Sequence, residues 1–525
     1  MSRFILSLDA GTTGVRAILF DKQAEVLAQA YEAIPANYPK PGWIEQDPEG
    51  MFEASLKVMQ GCLKNAGASS SDLVAIGIAT QRSTNLLWDR KTGKPLHPMI
   101  GWQDVRTAEL CRRMDGKFLA QTLRGLGRAS RGLGAALPFL RGISTVKRLI
   151  TASWVRFNPA SALAHTRWML DHIEGASKRA QRGEVAEGTV DSWLVYKLTQ
   201  GKVHATDYSN ASASGMFDPY QLAWSSLFLK LFDIPASLLP ELRDSSGPFG
   251  VTEVLGSKVP IAGVIADQQA ALFGEGCFAP GDVKCTHGTG TFLDMNVGSR
   301  PAASLHGLLP MVAWKTKDEI VFMLEGFIPA TGALIAWLKD GLGLIQDVSE
   351  SETLARSVQD SGGVLAVPAL GGLGAPYWDP NARGTVLGMT LATKKAHLVR
   401  AFLEGIAFEC LDILLAMQKD SKLKIRTLIS DGGASKNNFF LEGMADMLGL
   451  QVQRPVMLEA TALGAAFLAG LSAGFWDSKQ ELLKLRRIER SFVPRLEVKE
   501  RQDRTKQWKK ALKRSKAWAD SASVS

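Results

Sequence analysis

Short apolar runs at Phe4–Leu8, Val15–Phe20 and Leu73–Thr80 predict β-strands buried on both faces. Asp9-Ala-Gly-Thr-Thr-Gly14 separates the first two, a Gly/Thr-rich turn that predicts a hairpin with an open tip. The same order returns later. Pro260–Ala266 is an apolar strand closing on Asp267, Gln268–Phe273 reads as helix, and Lys284–Asn296 again gives strand, Gly288-Thr-Gly290 turn, strand. The echo lies in the order of elements more than in the letters, and it suggests two related halves. Leu423–Ile429 predicts a strand leading to Asp431-Gly-Gly433, with a helix over Asn437–Leu448. Ala460–Trp476 is apolar but diluted by Gly464, Gly470 and Gly474. A membrane span needs about 20 predominantly apolar residues, so this stretch predicts a buried Ala/Gly-rich helix. Beyond Lys479 the pattern is a basic amphipathic helix with Trp508, Ala511, Leu512, Ser515 and Trp518 on one side.

Strands alternating with helices predict an α/β fold. Residues 1–273 form the first expected domain, with a basic insert at about 117–160. Residues 274–476 form the second, and 477–525 a helical tail.

Composition narrows the function. The 525 residues carry 61 Lys+Arg against 52 Asp+Glu, a surplus of +9, and that surplus is local. Between Asp115 and Asp171 there is no acidic residue but nine basic ones: Lys117, Arg124, Arg128, Arg131, Arg141, Lys147, Arg148, Arg156 and Arg167. The remainder is balanced, which disfavours a general nucleic-acid binder. Such a run is most often a solvated face, and docking on an anionic membrane is the alternative reading. The apolar run before Asp9 is too short for a signal peptide, and the five cysteines form no C-x-x-C pair or zinc spacing. Together these features predict a reducing, cytoplasmic setting.

No G-x-x-x-x-G-K-[ST] or G-x-G-x-x-G occurs, so a P-loop ATPase is unsupported. Gly470-Leu-Ser-Ala-Gly474 fits G-x-S-x-G but follows a helical run instead of a strand, which reads as a chance match. The Gly/Thr turns carry more chemistry. Successive backbone N–H groups at Gly11, Thr12 and Thr13, with Arg16 just beyond, suit a polyphosphate, and Gly288–Gly290 would supply a second cradle. A carboxylate at Asp9 beside a phosphate is repulsive unless a cation intervenes, which predicts Mg²⁺ held largely through water; an Asx turn is the plainer alternative. Asp267 ends a strand where α/β proteins place ligands and could take a proton from a hydroxyl nucleophile; helix capping is the competing reading.

These motifs resemble a known family. Leu8-Asp-Ala-Gly-Thr-Thr13, Ala266-Asp-Gln-Gln-Ala270, Gly288-Thr-Gly290 and Asp431-Gly-Gly433, in this order, resemble the FGGY carbohydrate kinases. Tyr38-Pro-Lys-Pro-Gly-Trp43, Gly188-Thr-Val-Asp-Ser-Trp193, Thr206–Ser212, Gly374–Pro380 and Thr461–Ala466 resemble the glycerol-kinase branch, in a divergent form carrying Trp-Gln-Asp. The resemblance covers nearly the whole chain except about 117–160. It implies two actin-like (ribonuclease-H-like) domains closing on ATP and a polyol or sugar, with phosphorylation of glycerol to glycerol 3-phosphate as the leading activity. By position it implies Asp267 as base, Asp9 and Asp267 on the magnesium side, and Arg82, Trp102, Gln268 and Phe292 around the substrate. Thr12, Thr13 and Arg16 would hold phosphates, as would Thr289 and Gly332, while Gly433 and Asn437 would flank the adenosine. A homo-oligomer is compatible with this family.

Departures from the branch fall on the substrate pocket. Ser83 stands where the glycerol kinases carry Glu, Ala160 where they carry a substrate-contacting Tyr, His165 at a Lys and Ala336 at a nucleotide-contacting Gln. Asp104, in Trp102-Gln-Asp-Val-Arg106, resembles a sugar-facing Asp of pentulose kinases; the alternative is a local pair with Arg106. The rival readings are a kinase of a ketopentose or longer polyol, and a nucleotide-binding protein of low activity that docks through its basic segment.

Overall fold

The computed structural model describes residues 3–137, 139, 143–154 and 156–519; Arg141 of the basic segment lies outside them. Two sheets organise the chain. The first runs Val251–Thr252, Val259–Ala266, Leu73–Thr80, Phe4–Ala10, Gly14–Phe20, Val26–Ala33. The second runs Leu309–Lys315, Ile320–Ile328, Thr291–Gly298, Val283–His287, Thr427–Asp431, Gln451–Pro455, Ile488–Phe492. Each contains the same unit. Phe4–Ala10 pairs antiparallel with Gly14–Phe20 and parallel with Leu73–Thr80, as Val283–His287 pairs antiparallel with Thr291–Gly298 and parallel with Thr427–Asp431. The echo of the sequence is therefore a duplicated topology.

The strand expected over Leu423–Ile429 begins later, at Thr427, and runs to Asp431. Ile425 is buried in the second core as the chain approaches the sheet, so its apolar character marks an anchor ahead of the strand. The segment after residue 476 is more integrated than a tail. Ile488–Phe492 is the last strand of the second sheet, and the helix Val498–Ser515 buries Trp508, Ala511 and Leu512 in the second core. Trp508 stacks on Phe408 at 5.1 Å and donates its indole N–H to Asp412. Trp518 lies beyond this helix and is 72% exposed, because the helix stops at Ser515.

The two halves meet along the helix Ala460–Ser472, which packs on the helix Asp267–Gly274 and on the strands Leu73–Thr80 and Val259–Ala266. The helix comes from the second half and the strands from the first, so its small residues decide how closely the halves approach. A Cβ built on Gly464 would overlap the Ala270 carbonyl, and one on Gly77 would overlap the Ala465 carbonyl. Gly464→Ala is thus expected to cost about 1–3 kcal/mol through overpacking, towards the upper end because the obstructing atoms are backbone. A thermal unfolding midpoint equal to wild type would contradict this account of the interface.

The basic insert forms a helical hairpin, Phe118–Ala136 and Ser144–Ala152, closed where Gly127 passes the backbone of Leu149 and Ser153. Most of its charges have local partners. Arg124 pairs with Asp115 and Arg148 with Asp218, while Arg131 lies over the Trp154 ring at 4.6 Å. Lys147 donates to the Pro301 carbonyl and the Trp154 indole N–H to the Ser304 carbonyl, so the insert bridges to the second half. Among the described residues, no helix is long and apolar enough to cross a membrane.

Candidate active site

Both Gly/Thr turns project from the ends of their central strands. In the first, the Gly11 N–H donates to the Gly14 carbonyl and closes the tip. A chain of side-chain hydrogen bonds then fixes it. Trp102 donates its indole N–H to Thr12 Oγ1 at 2.9 Å, Gln46 donates to the Thr12 carbonyl, Gln81 to Gln46, and Thr84 to Gln81. The Trp102 backbone N–H returns to Thr84 Oγ1, closing the ring. Trp102 and the first turn are thereby one rigid unit. Among the described residues the Thr13 hydroxyl has no hydrogen-bond partner, while the Thr13 carbonyl accepts from Tyr31 and Ile34. Arg16 pairs with Glu459 and lies 5.7 Å from the Tyr31 ring centroid.

Asp267 is the first residue of its helix, and its carboxylate accepts the N–H of Gln268 at 2.7 Å. It also faces Arg82 Nε at 3.3 Å. Arg82 in turn donates Nη1 to Glu325 of the second half at 2.6 Å and lies 5.3 Å from the Phe292 ring centroid. Arg82, Asp267 and Phe292 thus converge, with Glu325 as a fourth member. Burial pushes the Asp267 carboxyl above its ordinary value, and Arg82 pulls it back part of the way. Burial also works against the Arg82 cation, but Glu325 and Asp267 outweigh it and hold the guanidinium charged.

Gln268 is positioned from below. Its side-chain oxygen accepts from Lys284 Nζ at 2.8 Å, and Lys284 is itself paired with Asp294 at 2.7 Å, both side chains fully buried. Burial disfavours the Lys284 cation, and the charges of Asp294 and Asp431 reverse that effect. Glu325, Lys284 and Asp294 are single charges within largely apolar strands. Their partners lie on other elements, which no local pattern reveals.

Asp9 is half-buried at the end of its strand. Burial, then the nearby charge of Asp267, pushes its carboxyl up to about 7, against a weaker opposite pull from Arg16. Two carboxylates of this kind form a hard-oxygen donor set that suits Mg²⁺. A carboxyl raised above its unfolded value of 3.8 stabilises the fold while protonated, fully below pH 4, and that contribution disappears as pH climbs through 7. Ligand-free Asp9→Asn is therefore expected to gain stability over wild type progressively between pH 4 and 7, with the gap constant above. A gap independent of pH in denaturant titrations would refute the raised Asp9 carboxyl, and with it the burial and the Asp267 charge that raise it.

The second half gathers Thr289, Gly332 and Gly433 around its own turn. The Gly332 N–H donates to the Gly288 carbonyl, the Thr331 and Ala333 N–H groups donate to the Thr289 carbonyl, and a Cβ on Gly332 would crowd Gly288. Gly432, at φ +84°, lies against the His287 backbone, which brings Gly433 beside that turn with open space above it. Asn437 caps the helix Asn438–Leu448, accepting from the Phe440 N–H, and donates its amide to Ser351. These two bonds fix its side chain at the start of that helix.

Asp104 also departs from its expected role. It is fully buried, accepts from Arg106 Nε and Nη2 and from the Arg106 and Ile44 N–H groups, and has no oxygen left for a sugar. The local pair prevails because Arg106 is clamped against Trp43 and Trp168, at 3.9 and 4.8 Å from their centroids. Ser83 adopts φ +63°, uncommon for a non-glycine residue, and donates its hydroxyl to the Ala213 carbonyl. Ala160 precedes the helix Ala162–His172 and presents only a methyl group. His165 is buried, which lowers its pKa to about 4 despite the nearby Asp104 charge, so it does not stand in for a cation.

Comparison with known proteins places these features in context. The model of the N-terminal domain of the FGGY family of carbohydrate kinases matches residues 4–134 and 142–274, and that of the C-terminal domain matches 283–473. Glycerol kinase of Caldanaerobacter subterraneus subsp. tengcongensis is 42% identical over 522 residues, 99% of this chain and 100% of the relative. Glycerol kinase of Dechloromonas aromatica is 44% identical over 520 residues, 99% of this chain and 98% of the relative. The crystal structure of Plasmodium falciparum glycerol kinase with ADP superposes with a TM-score of 0.88 at 31% identity, covering 98% of both chains. Gluconate kinase of Lactobacillus acidophilus shares the fold, at a TM-score of 0.82 and 18% identity over 98% of this chain and 97% of that one.

Proposed function

The chain belongs to the FGGY family of carbohydrate kinases, and from that premise we propose that it transfers the γ-phosphate of ATP to a hydroxyl of a small polyol, glycerol first. The observation that carries this reading is the Arg82–Asp267 contact at 3.3 Å, at the start of a helix and backed by Asp9. Asp267 takes the proton of the substrate hydroxyl as its oxygen bonds to the γ-phosphorus. The bond from that phosphorus to the β–γ bridging oxygen breaks, and ADP leaves. Arg82 orients the hydroxyl, with Phe292 and Trp102 as apolar walls. The N–H groups of Thr12 and Thr13 and those of the second Gly/Thr turn, with the hydroxyls of Thr12, Thr13 and Thr289, receive the phosphates, the Gly11 N–H being engaged with the Gly14 carbonyl. Mg²⁺, held by Asp9 and Asp267 largely through water, would neutralise phosphate charge.

A second reading changes only the substrate. Ser83 spends its hydroxyl on the Ala213 carbonyl and Ala160 offers no donor, so two polar contacts of the glycerol-kinase pocket are missing. A lost charged hydrogen bond typically costs about 1.5–3 kcal/mol, a tenfold or greater loss in affinity, which favours a larger polyol or a ketopentose. ADP release measured across glycerol, erythritol, pentitols and ketopentoses separates the two. Glycerol leading in kcat/KM supports the first reading, and a pentitol or ketopentose leading rejects it. ADP release with no member of the panel would favour a nucleotide-binding protein without kinase activity.

A further inference from the structure

Beneath the helical hairpin of the basic insert lies a cavity of about 440 Å³. It is lined by Ala120, Leu149 and Ala152 of the hairpin, by Phe157 and Phe228, and by Met311 of the second half. Most of its polar side chains are already engaged: Arg124 with Asp115, Arg148 with Asp218, Thr151 with Tyr220, and Ser225 with the Phe228 N–H. What remains for a ligand is mainly apolar surface, in a volume typical of small-molecule sites.

The cavity also adjoins the reacting centre. Met311 Sδ lies 3.6 Å from Arg82 Nη1, and Arg82 is paired with Asp267, so Met311 links the cavity lining to the ion pair of the reacting centre. An unbranched thioether has the rotamer freedom to move aside. Two of the altered pocket positions are tied through the chain to residues of the cavity lining. Ser83 bonds to Ala213, next to Ser212 on the cavity wall, and Ala160 follows Phe157 by three residues.

We propose that this cavity extends the substrate site and that the kinase accepts a glycerol carrying an apolar chain, a 1-O-alkyl or 1-acyl glycerol. This inference rests on the proposed kinase activity. The free terminal hydroxyl meets Asp267 and the chain lies past Met311 under the hairpin. The transfer is unchanged: the hydroxyl proton passes to Asp267, the oxygen–phosphorus bond forms, and the bond to ADP breaks. The products are an alkylglycerol phosphate and ADP.

The test is a chain-length series of glycerol, 1-O-ethyl-, 1-O-butyl- and 1-O-hexylglycerol, with kcat/KM from ADP release. From ethyl to hexyl, kcat/KM should rise about three- to fourfold per methylene, since each buried methylene is worth about 0.8 kcal/mol. Ala152→Phe and Ala120→Phe, which fill the cavity from two positions, should collapse the hexyl-to-ethyl ratio towards one. A ratio within one preparation is insensitive to the fraction of protein folded. A wild-type ratio that is flat or falls with chain length, while glycerol is turned over, overturns this proposal and leaves the kinase reading standing. So does a rising ratio that neither substitution changes. Absence of turnover with glycerol and every homologue instead overturns the kinase reading.

Discussion

Asp267→Asn is expected to lower kcat by about 10²–10⁴-fold while leaving ATP affinity close to wild type, the loss typical of removing a positioned general base. The substitution is nearly isosteric, and the contacts that place the residue survive it. The side-chain oxygen can still accept from Gln268, and Thr461 still donates to the Asp267 carbonyl from the interface helix. What is lost is the site for the hydroxyl proton. Steady-state kinetics together with nucleotide binding by calorimetry separate this from unfolding. Turnover within about threefold of wild type would remove Asp267 from the proton transfer, since a base contributes at least about 10²-fold.

Arg82→Met should be nearly as severe and for a different reason. Arg82 is the shared cation of Asp267 and Glu325, the latter with only 4% of its side chain exposed. Removing one partner of a buried ion pair typically costs about 3–5 kcal/mol, because the remaining charge is left uncompensated. Arg82 is also the main influence holding the Asp267 carboxyl down against burial. Its loss raises that pKa further and moves the acidic limb of the kcat/KM profile to higher pH. Adding Glu325→Gln removes one stranded charge, so the double variant should regain part of the stability but not the activity. Recovery of both together would show that Arg82 acts only on the fold.

The sequence was most legible where a local pattern and its structural role coincide. Apolar runs closing on Asp9 and Asp267 placed both carboxylates at strand ends, and the strands found there extend to Ala10 and Ala266. The two Gly/Thr tips followed from turn chemistry alone. Long-range pairing was hidden. Glu325 lies 243 positions from Arg82, and nothing near either residue announces the other. Asp104 misled for the opposite reason. Its motif permitted both a sugar contact and a pair with Arg106, and the flanking Trp43 and Trp168 that decide the matter become neighbours only in the fold. The basic run shows a third limit. Counting charges revealed an excess, whereas its partners Asp115, Asp218 and the carbonyl of Pro301 define a tied-down hairpin.

The central claim is phosphoryl transfer from ATP to a polyol hydroxyl through Asp267. Its most direct test incubates the protein with γ-labelled ATP, Mg²⁺ and the polyol series, then identifies the labelled product by mass spectrometry. The predicted result is label in a polyol monophosphate, matched mole for mole by ADP and abolished in Asp267→Asn. ATP bound by wild-type protein with no label in any polyol, or label transferred equally by Asp267→Asn, would contradict it.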